Sequence, residues 1–304
     1  MKNNFEEQIV RVESIRQLHE IAGFDKPRHP LLTIIDYSGV STILPVPKIK
    51  FACDFYSVNY KTNCSFSYGR KNFDHGEGTL LCTAPGQVIT YERKEVKDNT
   101  EGWGLYFHAD LIRNTSLGEK INEYTFFLYD ENEALHLADH EKETLLSVLK
   151  QIEKEYNTNI DRFSQDLIVS SIEVLLNYCK RFYGRQFITR KNQNTDTIVK
   201  FEKFLSEYIN SGKLKEKGIP SVKYCAENMN LSANYFSDLL KSETGKNCQE
   251  HIHFHILEKA KNMLLNPSLS VNEIADELGF EYPQYFSKLF KNKVGMAPGE
   301  YRSE

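Results

Sequence analysis

Hydrophobic and polar positions in the last third of the chain follow one pattern twice, at an offset of about 50 residues. Each copy begins with Ser-Val, continues with apolar residues at helical spacing, and reaches Tyr-Phe-Ser-x-Leu-x-Lys before a glycine. The copies span residues 221–245 and 270–295. Apolar residues three and four apart share one face of a helix, so each copy predicts two short helices joined by a turn.

Start and stop signals agree with these helices. Ser270 followed by Glu273 predicts a capping box, in which a hydroxyl and a carboxylate satisfy backbone amides at a helix start. Gly279 suits the left-handed residue that ends a helix. Pro283 suits the first position of the next helix, where its missing N–H is not needed. Ser221 predicts the equivalent cap in the first copy, so both copies are helix-turn-helix candidates.

Between the copies, apolar residues keep helical spacing from Ile252 to Leu265, and Pro267 then ends the pattern. This predicts one connecting helix of roughly 15 residues, each rising about 1.5 Å. Two short helices at a steep angle, the second with polar and basic side chains, are typical of a motif that enters a DNA major groove. The connecting helix could hold two such recognition helices about 34 Å apart, one turn of DNA.

The C-terminal pattern also carries a family resemblance. Residues 196–304 resemble the DNA-binding domain of the AraC/XylS family of transcription regulators, including the ending Phe290-Lys291-x-x-x-Gly295-x-x-Pro298-x-x-Tyr301-Arg302. The resemblance implies that exposed residues early in each recognition helix contact DNA. The residues concerned are Asn234, Ser237, Asp238 and Lys241 in the first unit and Pro283, Gln284, Ser287, Lys288 and Lys291 in the second.

Asp238 departs from the family pattern, in which arginine is common at this position. A carboxylate cannot pair with phosphate, but it can accept a hydrogen bond from a cytosine amino group. We therefore expect the second unit to provide more of the electrostatic attraction to DNA than the first.

Charge does not by itself favour a DNA-binding protein. The chain has a formal net charge of -4, and residues 196–304 contain 14 Lys plus Arg against 15 Asp plus Glu. DNA-binding domains are often basic. In a nearly neutral domain, DNA binding depends on where the basic side chains lie. We expect the basic side chains to lie on one side, namely Lys241, Lys246, Lys288, Lys291 and Lys293.

The N-terminal region has a different texture. Short β-branched and aromatic runs divided by turn residues predict strands of a sandwich or barrel. The expected strands are Leu32–Tyr37, Ile49–Val58, Thr79–Thr83, Gln87–Tyr91 and Gly102–Phe107. Residues 1–24 predict an amphipathic helix or an arm, residues 136–185 a helical hairpin, and the polar residues 186–195 an interdomain linker.

By resemblance to the same family, residues 25–135 are expected to form a cupin-like sensory β-barrel that binds a small effector. This rests on Pro85-Gly86-Gln87 after a strand and on the run from Trp103 to His108. Candidate effector-binding residues are Tyr60, Tyr68, Trp103, Tyr106 and His108. The alternative is that these aromatic residues are ordinary strand and core residues. The resemblance also implies that the hairpin dimerises the protein; alternatively, it packs only on its own barrel.

No metal or cofactor is expected. In a helix, the alternating residues His251, His253 and His255 point about 200° apart at each step, so only the first and third share a face. The sequence offers no third ligand nearby. The segment 74–78 is expected to be a polar hairpin loop, since it lacks the paired histidines of metal-using cupin enzymes. The six cysteines contain no C-x-x-C pair and predict buried thiols in a reducing compartment.

No apolar run approaches the length of about 20 residues that spans a bilayer. The first ten residues carry Glu6 and Glu7 and do not form a secretory signal. We therefore expect a cytoplasmic protein.

Together these patterns predict an α+β chain with a cupin-like β-barrel, a helical hairpin and an all-α double helix-turn-helix domain. The expected function is not enzymatic: it is a sequence-specific transcription regulator in which an effector shifts the population able to bind DNA. The expected partners are double-stranded DNA, a small effector, a second copy of the chain and, for an activator, RNA polymerase. Two alternatives remain: a cupin-like enzyme tethered to DNA, and a constitutive regulator without an effector.

Overall fold

The protein divides into two compact units, Met1–Gln186 and Phe187–Glu304, called here the N-terminal and C-terminal units. A computed structural model describes residues 9–39, 48–62, 78–92, 101–158, 161 and 163–303. Among these residues, no helix is both long and apolar enough to cross a membrane.

The described strands of the N-terminal unit form two sheets. A three-stranded sheet has the order β1-β3-β6, and a five-stranded antiparallel sheet has the order β2-β7-β4-β5-β8. Strand β1 runs parallel to β3, whereas β3 and β6 are antiparallel. The strands are β1 (Ile9–Val12), β2 (Leu32–Asp36), β3 (Lys48–Cys53), β4 (Phe55–Thr62), β5 (Thr79–Thr83), β6 (Val88–Glu92), β7 (Glu101–His108) and β8 (Leu135–His136).

The β-rich region predicted for residues 25–135 is confirmed, but in the described residues it is not a closed barrel, because the strands form two separate sheets. A single strand was expected over Ile49–Val58, but the chain changes sheet at Asp54. The backbone N–H of Asp54 donates to Val12 O at 3.0 Å, so this bond points to β1 and not along the five-stranded sheet. The sequence does not reveal this change of sheet, because strand-forming residues continue on both sides of Asp54.

The described part of the N-terminal segment, residues 9–24, contains a strand and a short helix. After β1, helix α1 (Ile15–Ala22) begins at Ser14, which accepts a hydrogen bond from Gln17 N, and ends at Gly23 with a φ of 71°. The β1–α1 segment packs its Val12 and Ile15 side chains against Phe55.

The predicted helical hairpin is present as α4 (Asp139–Asn157) and α5 (Ser164–Thr189). Arg185 of α5 holds the buried carboxylate of Glu141 at the start of α4, with an Nε to Oε1 distance of 2.9 Å. Two short helices, α2 (Ala109–Ile112) and α3 (Ser116–Lys120), follow β7.

The C-terminal unit is helical in all of its described elements. Its helices are α6 (Lys191–Asn210), α7 (Lys213–Lys217), α8 (Val222–Asn228), α9 (Ala233–Thr244), α10 (Cys248–Leu264), α11 (Val271–Glu277), α12 (Pro283–Val294) and α13 (Pro298–Ser303). Four fully buried phenylalanines, Phe201, Phe236, Phe286 and Phe290, belong to one core shared by the two helix-turn-helix units. The connecting helix is α10, with 17 residues, close to its predicted length.

The segment predicted as a linker, residues 186–195, is helical in the structure. Helix α5 continues to Thr189, and α6 begins at Lys191. Asn194 is buried, and its Nδ2 donates to Phe187 O at 2.7 Å and to Glu243 Oε1 at 2.9 Å. A polar residue of this segment thus makes a tertiary contact with α9. The local sequence pattern does not indicate this contact.

Candidate nucleic-acid interface

Both helix-turn-helix units have the local geometry that the sequence predicts. The hydroxyl of Ser221 accepts from Tyr224 N at 3.1 Å, and that of Ser270 accepts from Glu273 N at 3.1 Å. The capping box is completed by Glu273 Oε2, which accepts from Ser270 N at 2.7 Å. This backbone hydrogen bond lowers the pKa of the Glu273 carboxyl. The caps fix where α8 and α11 begin and so where each recognition helix starts.

The turns of both units use a left-handed residue, which the sequence predicts for Gly279. Asn230 has a φ of 58° in the first unit, and Gly279 has a φ of 78° in the second. Gly279 also lies against α7, because a Cβ on it would be 2.3 Å from Leu214 O. Beside this approach, Lys215 of α7 pairs with Glu277 and lies 3.4 Å from Asp276 Oδ2. Helix α11 is thus held against α7 while α12 projects from the turn.

Helix α12 presents three of the predicted residues to solvent. Its inward side is formed by the buried Phe286 and Phe290. At 3.6 residues per turn, Gln284, Lys288 and Lys291 lie on the opposite side, and all three are exposed. The other two predicted residues, Pro283 and Ser287, are partly buried. Pro283 is the first residue of the helix, as predicted.

Helix α9 shows the same arrangement with less exposure. Its inward side is formed by the buried residues Tyr235, Phe236, Leu239 and Leu240. Of the predicted contacts, Lys241 is exposed, whereas Asn234, Ser237 and Asp238 are partly buried.

Charge separates the two recognition helices. Helix α12 carries Lys288, Lys291 and Lys293, all exposed, whereas α9 carries Asp238 and Glu243 beside Lys241. No ion pair links the three lysines of α12 to a residue that the structure describes. Three acidic residues of the second unit, Glu273, Asp276 and Glu277, lie on α11, and a fourth, the exposed Glu281, lies in the turn before α12. A nearly neutral domain thus concentrates positive charge on one recognition helix.

One of the expected basic residues does not belong to this surface. Lys246 lies beyond the end of α9, and its Nζ sits 4.5 Å from the ring centroid of Phe254 on α10. This cation–π contact holds the lysine against the connecting helix.

An exposed aromatic pair lies at the start of α12, where the sequence pattern predicted none. Tyr282 and Tyr285 are 47% and 60% exposed, and their rings meet edge to face with centroids 5.5 Å apart. In the first unit the equivalent Tyr235 is 4% exposed and packs on Phe187, with ring centroids 5.1 Å apart. Both copies read Tyr-Phe-Ser, so the pattern carried no signal of this difference.

The histidines of α10 lie as predicted, with His251 and His255 on one face. Glu202 of α6 lies between them: its Oε1 is 2.9 Å from His251 Nδ1, and its Oε2 is 2.7 Å from His255 Nε2. The other ring nitrogen of His251 is 2.8 Å from Thr244 Oγ1. Within the described ranges, no group of three His, Cys, Asp or Glu residues could hold a metal ion. The cluster connects α6, α9 and α10.

The structure separates the candidate effector residues of the N-terminal unit. Tyr60 and Trp103 pair across β4 and β7 on one sheet face, with ring centroids 6.0 Å apart. Tyr106 and His108 point to the other face, since successive strand residues alternate. His108 caps α2 by accepting from Asp110 N. Tyr68 and residues 74–77 lie outside the described residues.

The face with Tyr106 carries uncharged polar groups joined by short hydrogen bonds. Tyr37 OH lies 2.6 Å from Tyr106 OH and donates to Asn59 Oδ1 at 2.5 Å. Asn59 Nδ2 donates to Ser57 Oγ at 2.7 Å, and this oxygen lies 2.6 Å from Thr83 Oγ1. Burial raises the pKa of Tyr106. Of the five members of this network, only Tyr106 is among the residues predicted from the sequence.

The buried-thiol prediction is confirmed for Cys82, Cys179, Cys225 and Cys248, which are free and buried. Cys53 is free and partly exposed. Cys64 lies outside the described residues.

Comparison with known proteins agrees with this geometry. Residues 225–304 match a family model described as "Helix-turn-helix domain". The HTH-type transcriptional regulator YfiF of Bacillus subtilis is 25% identical over 258 residues, 82% of this chain and 77% of YfiF. The HTH-type transcriptional regulator YijO of Escherichia coli is 28% identical over 267 residues, 86% of this chain and 85% of YijO.

A solved structure resembles the C-terminal region. It is a transcriptional regulator from Chromobacterium violaceum, described as AraC-type DNA-binding domain-containing, with 22% identity and a TM-score of 0.29 over 34% of this chain and 91% of that one. The helix-turn-helix match and the regulators related to most of the chain lead to one conclusion: the chain carries a helix-turn-helix domain of AraC type at its C-terminus and is a DNA-binding transcription regulator.

Proposed function

We propose that α9 and α12 enter successive major grooves on one face of double-stranded DNA, with α10 setting their separation. The observation that carries this proposal is the pair of recognition helices on a shared core, with the outward side chains of α12 exposed. At about 1.5 Å per residue, the 17 residues of α10 extend roughly 25 Å. This length, with the helices at its ends, suits grooves about 34 Å apart.

The two units contribute differently in this arrangement. Lys288 and Lys291 neutralise phosphates, while Gln284 reads a base edge in the groove, where the amide of glutamine pairs with adenine N6 and N7. In the first unit Asn234 can read adenine in the same way, and Asp238 accepts from a cytosine amino group. The second unit therefore supplies most of the attraction, and the first contributes mainly discrimination.

Alanine variants of Gln284 and Lys288 separate base reading from phosphate binding. Gln284→Ala is expected to cost on the order of 1 to 3 kcal/mol on the best site and to relax preference at one base pair. Lys288→Ala is expected to weaken binding to all duplexes alike and to lower the salt slope by about 1. Binding titrations on selected and scrambled duplexes measure both effects.

The control is Lys200→Ala, which removes an exposed lysine of α6 outside both recognition helices. Normal binding by both test variants would mean that α12 does not dock in the groove.

The N-terminal unit serves in this proposal as a cupin-like sensor of a small effector. The support is the uncharged polar network of Tyr37, Asn59 and Tyr106 on one face of the five-stranded sheet. Such groups suit a ligand with hydroxyl or carbonyl groups, and the Lys61 ammonium, 4.8 Å from the Tyr37 ring centroid, adds a positive charge beside them. Effector binding then shifts the population of chains able to engage DNA. A regulator without an effector would keep the same network as a purely structural one.

Helix α5 supports a homodimer through the hairpin. Its buried side faces its own unit through Ile168, Ile172 and Leu175. On another side Leu167 and Val174, seven residues apart, are 51% and 44% exposed. Two helical turns separate them, so they lie on one side of α5, with Ser170 and Ser171 one turn from each of them. Exposed apolar side chains on one side of a helix suit packing against a second copy, and an activator of this kind would also contact RNA polymerase.

Leu167→Glu is expected to convert the dimer into a monomer, because a carboxylate would be buried unpaired at the centre of the interface. Light scattering measures the mass, and DNA titration should show weaker binding to a site with two half-sites. Glu153→Gln, on an exposed position of α4, is the control. A Leu167→Glu variant with unchanged mass would favour the alternative in which the hairpin packs only on its own unit.

A further inference from the structure

The repeated units place one tyrosine in two different environments. Tyr235 and Tyr285 occupy the same position of the two recognition helices, the residue before the buried phenylalanine. The ring of Tyr235 is covered by Phe187, whereas Tyr285 is 60% exposed and touches only the edge of Tyr282 among the ring contacts of the described residues. Burial of an aromatic ring is favourable. We therefore expect the exposed ring of Tyr285 to contact a bound molecule.

Tyr285 borders the surface that the proposed function assigns to DNA. It precedes Lys288 by three residues and Asn292 by seven, so these side chains form one stripe. It also follows Gln284 directly, about 100° around the helix. When the side with Gln284 faces the bases, a residue displaced by this angle meets the wall of the groove, which is formed by phosphates and sugars.

The chemistry of the side chain suits this wall. Half to two-thirds of the hydrogen bonds between proteins and DNA go to phosphate and sugar, and tyrosine hydroxyls are among the donors. The edge-to-face contact with Tyr282 limits the directions in which the ring can turn. Lys288 on the same stripe makes the surroundings favourable for an anion.

We propose that the Tyr285 hydroxyl donates a hydrogen bond to a DNA phosphate at the edge of the groove that α12 enters, with Tyr282 orienting its ring. This inference rests on the proposed docking of α12. The Tyr285 hydroxyl thus adds an uncharged hydrogen-bond donor to the charged contacts that the lysines make with phosphates. The occupant of the aromatic surface is thus DNA itself and not a second protein.

Tyr285→Phe tests the inference in the full-length chain, since it removes the hydroxyl and keeps the ring. Affinity is expected to fall about tenfold, as for other hydrogen bonds to charged groups. The fall should be equal on a duplex recovered by selection and on a scrambled duplex of the same length. The salt slope should stay unchanged, because a neutral donor releases no counterion, whereas Lys288→Ala lowers it by about 1.

Tyr224→Phe is the matched control, because Tyr224 is 38% exposed but lies on α8, outside both recognition helices. Thermal melting checks that each variant keeps its fold. Full affinity of Tyr285→Phe beside weaker binding by Lys288→Ala would overturn this inference and leave the docking of α12 intact. Loss of preference at a single base pair would overturn the phosphate assignment. Full affinity of both variants would overturn the docking as well.

Discussion

Replacing Lys288 and Lys291 together by alanine is expected to weaken binding of the full chain to any duplex about thirtyfold at physiological salt. Each lysine that neutralises a phosphate releases close to one counterion, and at about 0.15 M salt each release contributes roughly fivefold in affinity. The effect is large because these lysines are exposed on the outward side of the recognition helix, while α9 carries Asp238 and Glu243. The salt slope should fall by about 2.

The matched control for this double variant replaces Lys200 and Lys217, two exposed lysines of α6 and α7. It removes the same charge from outside the recognition helices. Titrations at several salt concentrations compare the two. Equal losses in both double variants would show that net charge matters and that the lysines of α12 contribute no more than other exposed lysines.

Gly279→Ala is expected to destabilise the C-terminal unit by about 3 kcal/mol or more. The left-handed backbone alone costs about 1 to 2 kcal/mol for a residue with a Cβ. The new methyl would also lie 2.3 Å from Leu214 O and 3.0 Å from Gly218 Cα, and both are backbone atoms. Because Gly279 sets the turn between α11 and α12, DNA affinity should fall together with stability.

Gly245→Ala is the control for this variant, since Gly245 has a φ of 76° but no atom within 4 Å of the added Cβ. It should show the backbone cost without the steric one. Urea unfolding gives both free energies. Equal losses would mean that α7 moves aside easily and that the close approach at Gly279 does not fix the turn.

Local signals explain why the helix-turn-helix units could be predicted so closely. The caps Ser221 and Ser270 and the turn residue Gly279 act within a few residues of their own positions. Apolar spacing identified the buried side of α12 through Phe286 and Phe290. A sequence written twice supplied an internal check on each of these assignments.

Tertiary contacts explain what could not be predicted. The segment around Asn194 has the composition of a linker, and its helix is tied down by Glu243, a residue 49 positions away. The chain changes sheet at Asp54, whose backbone N–H donates to the carbonyl oxygen of Val12. Val12 lies far earlier in the sequence. Tyr235 packs on Phe187, which lies far earlier in the sequence, whereas the equivalent Tyr285 is exposed.

The effector site was the hardest part to predict. Aromatic residues drew attention to Tyr60 and Trp103, but these pair on one face of the sheet while Tyr106 points to the other. Ser57 and Asn59 are ordinary residues in a strand, and only the register of the sheet brings them beside Tyr37.

The most direct test of the account is selection of binding sites by the full-length chain from a pool of random duplexes, at two salt concentrations. Two recognition helices held by α10 predict enriched motifs with two blocks about 10 base pairs apart. The block read by the second unit should depend on Gln284, and overall recovery should fall steeply with salt. A single block, or salt-sensitive binding without any enrichment, would contradict the docking of both helices in successive grooves.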